Sequence, residues 1–346
     1  MSSQELNERE RRVLEAVIQS YVATAEPAGS RMISRRFGLG VSPATIRNTM
    51  SDLEEKGYLY HPHTSAGRVP THKAYRVYVD SLMHVAPLDA AGQARLAEQL
   101  AGAGTIEVIL RRAAQSLGVL TQELGVAVRP RFDEAALRRV DLVRLASDRL
   151  LMVLTLEAGA IRTIFVEVPG VIAEDAVSEV ARVLTERLAG LTLRDVCATL
   201  PERLRDAAAP QPGVDELLNI FIAGGGQLFD RANGEETQVV LGQPSLLAEQ
   251  PEFASGERLR RLLELTETRE ELATLLRQRN GAPGISITIG SEHGDPRLEP
   301  FTVVTAEYQA GGLSGVIGVI GPTRMPYEKV ISLVSHTSQL VSDLLH

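Results

Sequence analysis

The sequence predicts an α+β protein of more than one domain that opens with a winged helix-turn-helix. Three observations carry this expectation. Residues 42–56, SPATIRNTMSDLEEK, read as a helix whose cap, stop and two faces can all be assigned, and a short helix with a Gly-containing turn precedes it. The run that follows, YLYHPHTSAGRVP, places strand formers on either side of turn residues, as a β-hairpin requires. From residue 105 onward helical periods alternate with short β-rich runs, and 346 residues are enough for two or three domains.

Taken in order, Asn7 and Glu10 have the spacing of a capping box, and Val13, Leu14, Val17, Ile18 and Tyr21 follow at helical period, so the first helix runs to about Thr24. Ser30 can cap a short second helix through Phe37 that Gly38 ends. Ser42 can cap the third, Pro43 fits its first position, and Gly57 supplies a left-handed stop. In that third helix Ile46, Met50 and Leu53 form one apolar stripe. The opposite face carries Ala44, Asn48 and Ser51, flanked by Thr45 and Arg47. Small side chains let a helix sit deep in a major groove, Asn can pair with adenine, and Arg can pair with guanine or hold phosphate. An ordinary surface helix would also be polar outside; the neighbouring elements are what favour a reading helix. In the hairpin, Gly67 would let the tip bend and Arg68 would reach DNA backbone or minor groove, while Arg35, Arg36 and Lys73 are phosphate candidates. Thr71 can cap a fourth helix with Tyr75, Tyr78, Val79 and Leu82 inside. Five of the seven tyrosines fall within residues 21–78, and their spacing favours core packing over base stacking. His61, His63 and His72 lack a third ligand at an established spacing, so neither a metal nor a cofactor is expected.

The net charge of −8 is unevenly distributed. Residues 1–80 hold 11 basic and 9 acidic side chains (+2), and the remainder holds 25 and 35 (−10). The only net positive part is the part with the reading helix, although its field is small, so phosphate contact must come from placed arginines. No apolar run approaches bilayer-spanning length and MSSQELNERERR has no apolar signal region, so a cytoplasmic location and no membrane partner are expected. The single cysteine, Cys197, excludes an intramolecular disulfide and reads as a buried structural thiol. No nucleophile elbow, HExxH or Walker motif is present, which argues against an enzyme.

The run EPAGSRMISRRFGLGVSPATIRNTMSDLEEKGYLYHPHTSAGRVPTHKAYRVYVD resembles the N-terminal region of the HrcA family, the heat-inducible transcription repressors of bacteria, with SPATIRN and HTSAGRVPT as its most specific motifs. GQPSLLAEQPEF and GPTRMPYEKV resemble later parts of the same family. The resemblance implies a homodimer that binds double-stranded DNA at the inverted repeat upstream of chaperone operons. It further implies inactivation by heat and reactivation by the chaperonin GroEL. It also implies a domain plan: a winged-helix domain at 1–84, a linker at 85–104, a GAF-like domain formed by 105–134 and 236–346, and an inserted dimerisation domain at 135–235. The alternative reading is a winged-helix regulator that senses a small molecule through the GAF-like domain.

The residues after 84 can also be read directly. VAPLDAAGQARLAEQLAGAG reads as a linker, partly helical through Leu88, Leu96 and Leu100, that gives the head some freedom. A helix at 105–123 and a short strand follow, and then three β-rich runs with turn-like connections predict an antiparallel meander. Helices are expected at 173–190, 192–199, 202–209, 213–229 and 257–279. Gly224-Gly225-Gly226 lacks the Lys-Ser/Thr of a phosphate loop. Gly290, Glu292, His293 and Asp295 form a polar loop that reads as a surface turn before it reads as a ligand pocket. Gly315, Gly318 and Gly321 suggest close packing of a strand on the next helix, and the last helix has an apolar seam that must face the sheet or another subunit.

Overall fold

The computed structural model describes residues 6–62, 67–102, 104–131, 134–157, 161–170, 172–205, 213–233, 239–254, 256–278, 284–310 and 313–345. The architecture is mixed α+β, and the chain divides into two compact units: Met1–Val128 with Gln238–Tyr308 and Val316–Val341, and Arg129–Thr237 with Gln309–Gly315 and Ser342–His346.

The first unit begins with a helical head. Helix α1 (Glu8–Thr24) opens with the expected capping box, in which Asn7 and Glu10 each accept from the other's backbone N–H at 2.9 Å. Helix α2 (Ser30–Phe37) starts earlier than the sequence suggests: Gly29 is its N-cap, and Ser30 is already helical and buried. Helix α3 (Pro43–Glu55) is capped by Ser42, whose hydroxyl accepts from Thr45 N at 3.1 Å, and the chain leaves it through Gly57 at φ +76°. Ile46, Met50 and Leu53 of α3 are buried, as are Val13, Leu14, Val17 and Ile18 of α1 and Ile33 of α2, so each helix turns its apolar stripe inward. Strands β1 (Leu59–Tyr60) and β2 (Val69–Pro70) form a short antiparallel hairpin, which a bridge between Ala28 and Arg68 ties to the α1–α2 connection. Residues 63–66 of the expected turn, with His63, lie outside the described residues. Gly67 has a reason different from the expected bend: a Cβ there would lie 2.4 Å from the Ala28 carbonyl oxygen, so only glycine permits that approach. Helix α4 (His72–Val77), capped by Thr71, passes into a π-helical turn at Tyr78–Leu82. The wider period keeps Tyr75 and Tyr78 buried but leaves Val79 and Leu82 half-buried, where a regular helix would align all four.

The helical part expected within 85–104 is helix α5 (Ala90–Leu100), which is capped by Asp89 and buries Leu96 and Leu100 completely. Helix α6 (Ile106–Thr121) and strand β3 (Leu124–Val128) follow.

The second unit is the expected meander, β4 (Leu137–Ala146), β5 (Arg149–Leu156) and β6 (Ile161–Glu167), with registers such as Val143 opposite Leu151 and Leu151 opposite Phe165. Helices α7 (Glu174–Leu188), α8 (Leu193–Leu204) and α9 (Val214–Asn233) share one core with Val140, Leu150, Met152, Leu154, Ile164 and Val166 of the sheet. In place of the two helices expected at 192–199 and 202–209, α8 is continuous to Leu204 and contains Pro201; residues 206–209 lie outside the described residues. Helix α9 runs through the glycine triplet, and Cys197 is half-buried against the core instead of fully enclosed.

The chain returns to the first unit with β7 (Val239–Leu241), α10 (Pro244–Ala248), α11 (Gly256–Glu267), α12 (Arg269–Gln278), β8 (Ile285–Ile289), β9 (Phe301–Ala310), β10 (Leu313–Pro322) and α13 (Tyr327–Leu344). The sheet order is β7-β3-β10-β9-β8. The helix expected at 257–279 is broken at Thr268, and the break lets Leu262 and Leu265 before it and Leu272 and Leu276 after it reach the same core. Gly318 and Gly321 answer to crowding by the adjacent strand and by a carboxylate, not by a helix: added Cβ atoms would lie 2.1 Å from Val304 O and 2.3 Å from Glu123 Oε2. Of the expected α13 seam, Tyr327, Val330, Val334, Thr337 and Val341 are buried within the chain, while Leu344 at its end is 44% exposed.

Candidate nucleic-acid interface

Helix α3 presents a face that the head itself does not use. Ala44, Arg47 and Asn48 are exposed, and neither Arg47 nor Asn48 hydrogen-bonds through its side chain to another described residue. Ser42 and Thr45 bond each other through their hydroxyls at 3.0 Å at the helix start, and the Ser51 hydroxyl donates to Arg47 O at 3.2 Å. Ser42 is exposed, while Thr45 and Ser51 are half-buried, so they flank the free pair more than they extend it. The first turns of α2 and α3 hold no acidic residue, and Arg35 and Arg36 stand exposed in the last turn of α2, where cations suit the helix dipole. Bases or phosphates meeting this face would find small, amide and guanidinium groups in reach and no carboxylate among the first residues of the helix.

Two of the expected DNA contacts have internal partners. Arg68 is drawn back onto the end of α3: its Nη2 lies 2.8 Å from Glu54 Oε2, and its side chain is only 13% exposed. His61 Nδ1 also lies 3.0 Å from Glu54 Oε1, so one carboxylate gathers side chains that flank both hairpin strands. Lys73 donates to Lys56 O at 2.8 Å, closing the C-terminal end of α3, and its ammonium lies 4.2 Å from the Tyr58 ring centroid. The sequence reads both as reaching outward because an arginine beside a turn and a lysine near a helix start carry no local sign of a partner 14 or 17 residues away. Lys56 bonds both oxygens of Glu10 at 2.8 Å. Burial pushes the Glu10 carboxyl up, but the hydrogen bonds from Lys56 and from Asn7 N–H outweigh it and hold the group below the ordinary range. The orientation of α3 thus rests on charged ties at its C-terminal end, which frees its N-terminal half.

The head also bonds to the sheet part of its own unit. Arg76 makes a two-armed pair with Glu292 at 2.7 and 2.6 Å and donates to Ile287 O at 2.7 Å. Arg324 donates to Val22 O at 2.8 Å, and the Tyr75 and Tyr78 rings lie 5.8 and 6.5 Å from that of Tyr327. His72 accepts from Ser291 N at 3.3 Å. The polar loop at 290–295 is therefore occupied by the protein itself: Glu292 by Arg76 and Ile289 N, His293 by Phe301 O and Asp295 by Arg297. Burial raises the Glu292 carboxyl, while Arg76 and Ile289 N lower it further, so it sits below its usual value. Arg76, Glu292, Glu54 and Tyr75 escape sequence reasoning as a set because their partners lie far along the chain and no spacing rule joins them.

A family profile described as HrcA protein C terminal domain matches residues 107–331. The chain is 38% identical to the heat-inducible transcription repressor HrcA of Chlorobium chlorochromatii (strain CaD3), covering 100% of this chain and 99% of that protein. It is 37% identical to the heat-inducible transcription repressor HrcA of Geobacter sulfurreducens, covering 99% and 98%. A crystal structure of a hypothetical protein superposes with a TM-score of 0.64 at 24% identity over 99% of both chains, a likeness of fold. Full-length identity at this level, with the C-terminal match, places the chain in the HrcA family.

Proposed function

We propose that this protein is a transcription repressor of class I heat-shock operons, in which α3 reads the major groove, two copies bind an inverted repeat, heat inactivates the repressor and chaperonin restores it. The observation that carries the reading is the exposed pair Arg47 and Asn48 on a capped helix braced from its far end, in a chain alike over its whole length to heat-inducible transcription repressors. In this reading residues 1–84 are a winged helix-turn-helix, 105–134 with 236–346 are a GAF-like domain, and 135–235 are an inserted dimerisation domain. Asn48 and Arg47 contact bases, Ser42, Ala44, Thr45 and Ser51 shape the contact surface, and Arg35 and Arg36 hold phosphate. Arg68 and Lys73 act by positioning α3.

A dimer follows from the reach of one helix, which covers too few base pairs for specific binding, so a two-fold partner and a palindromic site are needed. Its support in the structure is the outward face of the three-stranded sheet, where Val143, Ile161 and Phe165 are 47%, 63% and 62% exposed. Among the described residues no helix is long and apolar enough to cross a membrane.

The test is binding of the purified chain to the chaperone-operon inverted repeat and to a scrambled duplex at one near-physiological salt, before and after mild heating, with and without chaperonin. Preference for the repeat by ~10³ or more, lost on heating and regained with chaperonin, is the expected result. Equal affinity for both duplexes in every condition would overturn the reading.

A further inference from the structure

Within the first unit, a cavity of about 320 Å³ opens between the head and the segments that flank the five-stranded sheet. This is the small end of the range of ~300–1,000 Å³ typical of small-molecule sites. Val69 and Pro70 from the head and Pro300 and Pro322 from the sheet part give it apolar walls. Its polar lining has two unmatched features.

The first is Tyr75, which is 1% exposed and whose hydroxyl is buried with no hydrogen-bond partner in the protein. A buried hydroxyl without a partner is unfavourable unless something else satisfies it. The second is charge. Arg324 is neutralised by Glu252, which it grips with both Nε and Nη2. Arg258, on the same wall, reaches only the main-chain oxygen of Glu252, at 3.3 Å, and no carboxylate of a described residue pairs with it. The nearby Glu257 is taken by Arg261 at 2.7 Å. The cavity lining thus holds two guanidiniums and one carboxylate, with Arg258 exposed and unpaired, together with a hydroxyl donor that lacks an acceptor.

We propose that this cavity binds a small organic monoanion, a carboxylate with an apolar body, whose oxygens meet Arg258 and the Tyr75 hydroxyl and whose body lies against the four apolar wall residues. One excess positive charge suits a carboxylate better than a doubly charged phosphate, and the proline walls suit a ligand with hydrocarbon. Because the walls come from both the head and the sheet part, the ligand favours the docked head over any arrangement that separates them.

Benzoate is the probe. Calorimetric titration into the intact chain should show saturable binding, with a rise in melting midpoint that follows occupancy. Methyl benzoate and inorganic phosphate should not reproduce it. Arg258→Gln should weaken benzoate by about tenfold or more, as loss of a charge-assisted contact implies. Tyr75→Phe should weaken it several-fold while leaving the unliganded midpoint equal or higher, which a purely structural tyrosine would not do. Arg260→Gln, which removes an exposed pair with Glu264, should change nothing. The site is refuted if neither benzoate nor hexanoate binds by about 10 mM, if methyl benzoate binds as well as benzoate, or if Arg258→Gln keeps full affinity. Binding is read without DNA, so these outcomes are independent of the repressor reading.

Discussion

The five-stranded sheet of the first unit and the three-stranded sheet of the second handle apolar residues differently. Strand β3 is buried at every position, with Leu124, Val126 and Val128 facing the core that includes α11 and α12. On its other side Gly125 lies so close to α6 that a Cβ would be 1.8 Å from Ala114 O. Strand β6 alternates: Ile164 and Val166 face the helices, while Ile161 and Phe165 face away and stay open. A closed sheet uses hydrocarbon on both faces for its own stability; a sheet with bare hydrocarbon on one face has stability left to give to a partner. The contrast separates residues that hold this fold from residues available for assembly.

Paired substitutions break or sharpen that contrast. Ile317→Glu, in the closed sheet, buries an unpaired charge at a fully enclosed position and should cost more than ~4 kcal/mol, seen as failure to fold by circular dichroism. Phe165→Glu, on the open face, should leave the melting midpoint within a few degrees of the parent, yet convert a dimer to monomers in sedimentation and abolish tight operator binding. A Phe165→Glu chain that sediments as a dimer would remove the open face as the interface.

The next effect belongs to α3, where exposure again marks availability. Asn48→Ala should reduce discrimination between operator and scrambled duplex by ~1–3 kcal/mol, the worth of one bidentate base contact, with no change in melting. Equal loss on both duplexes would assign Asn48 to phosphate.

Internally bonded cations should behave in the opposite way. Arg68→Ala should cost about 1 kcal/mol of stability by removing its pair with Glu54, and Lys73→Ala about 0.5–1 kcal/mol through the exposed C-terminal end of α3. Lys73→Ala should leave the salt dependence of DNA binding unchanged, whereas Arg35→Ala should flatten its slope by ~1. A flattened slope for Lys73→Ala would return it to the phosphate contacts.

The smallest effect is acid sensitivity. Glu10 and Glu292 both sit below their ordinary value of 4.5 in the folded chain. Their contribution is complete above that value and is lost as pH falls through the lowered native value, because protonation removes the acceptors of Lys56 and Arg76. Melting midpoints recorded from pH 7 to pH 3 should therefore fall less steeply for Glu292→Gln than for the parent. Parallel curves would show that the Arg76 pair contributes nothing to stability.

The exposed polar face of α3 is legible in the sequence because its causes are neighbours along the chain: Ser42 caps the helix, Pro43 starts it, and Gly57 ends it. The meander is legible from its short connections and β-rich runs. Helix limits are less legible where tertiary contacts decide them, as at Thr268, where the break serves a shared core, and at Tyr78, where a π-helical turn resets the inward face.

What the sequence determined by itself was therefore local: periodicity, caps, turns and the identity of an exposed polar face, all set within a few residues by backbone geometry and side-chain spacing. The tertiary structure alone decided which cations are free. Arg35, Arg36 and Arg47 are exposed with no carboxylate or carbonyl of a described residue bonded to them, while Arg68, Lys73 and Arg76 are held by Glu54, Lys56 O and Glu292. Pairing of this kind depends on distance in space between groups as far apart along the chain as Arg76 and Glu292, 216 residues, and periodicity carries no record of it.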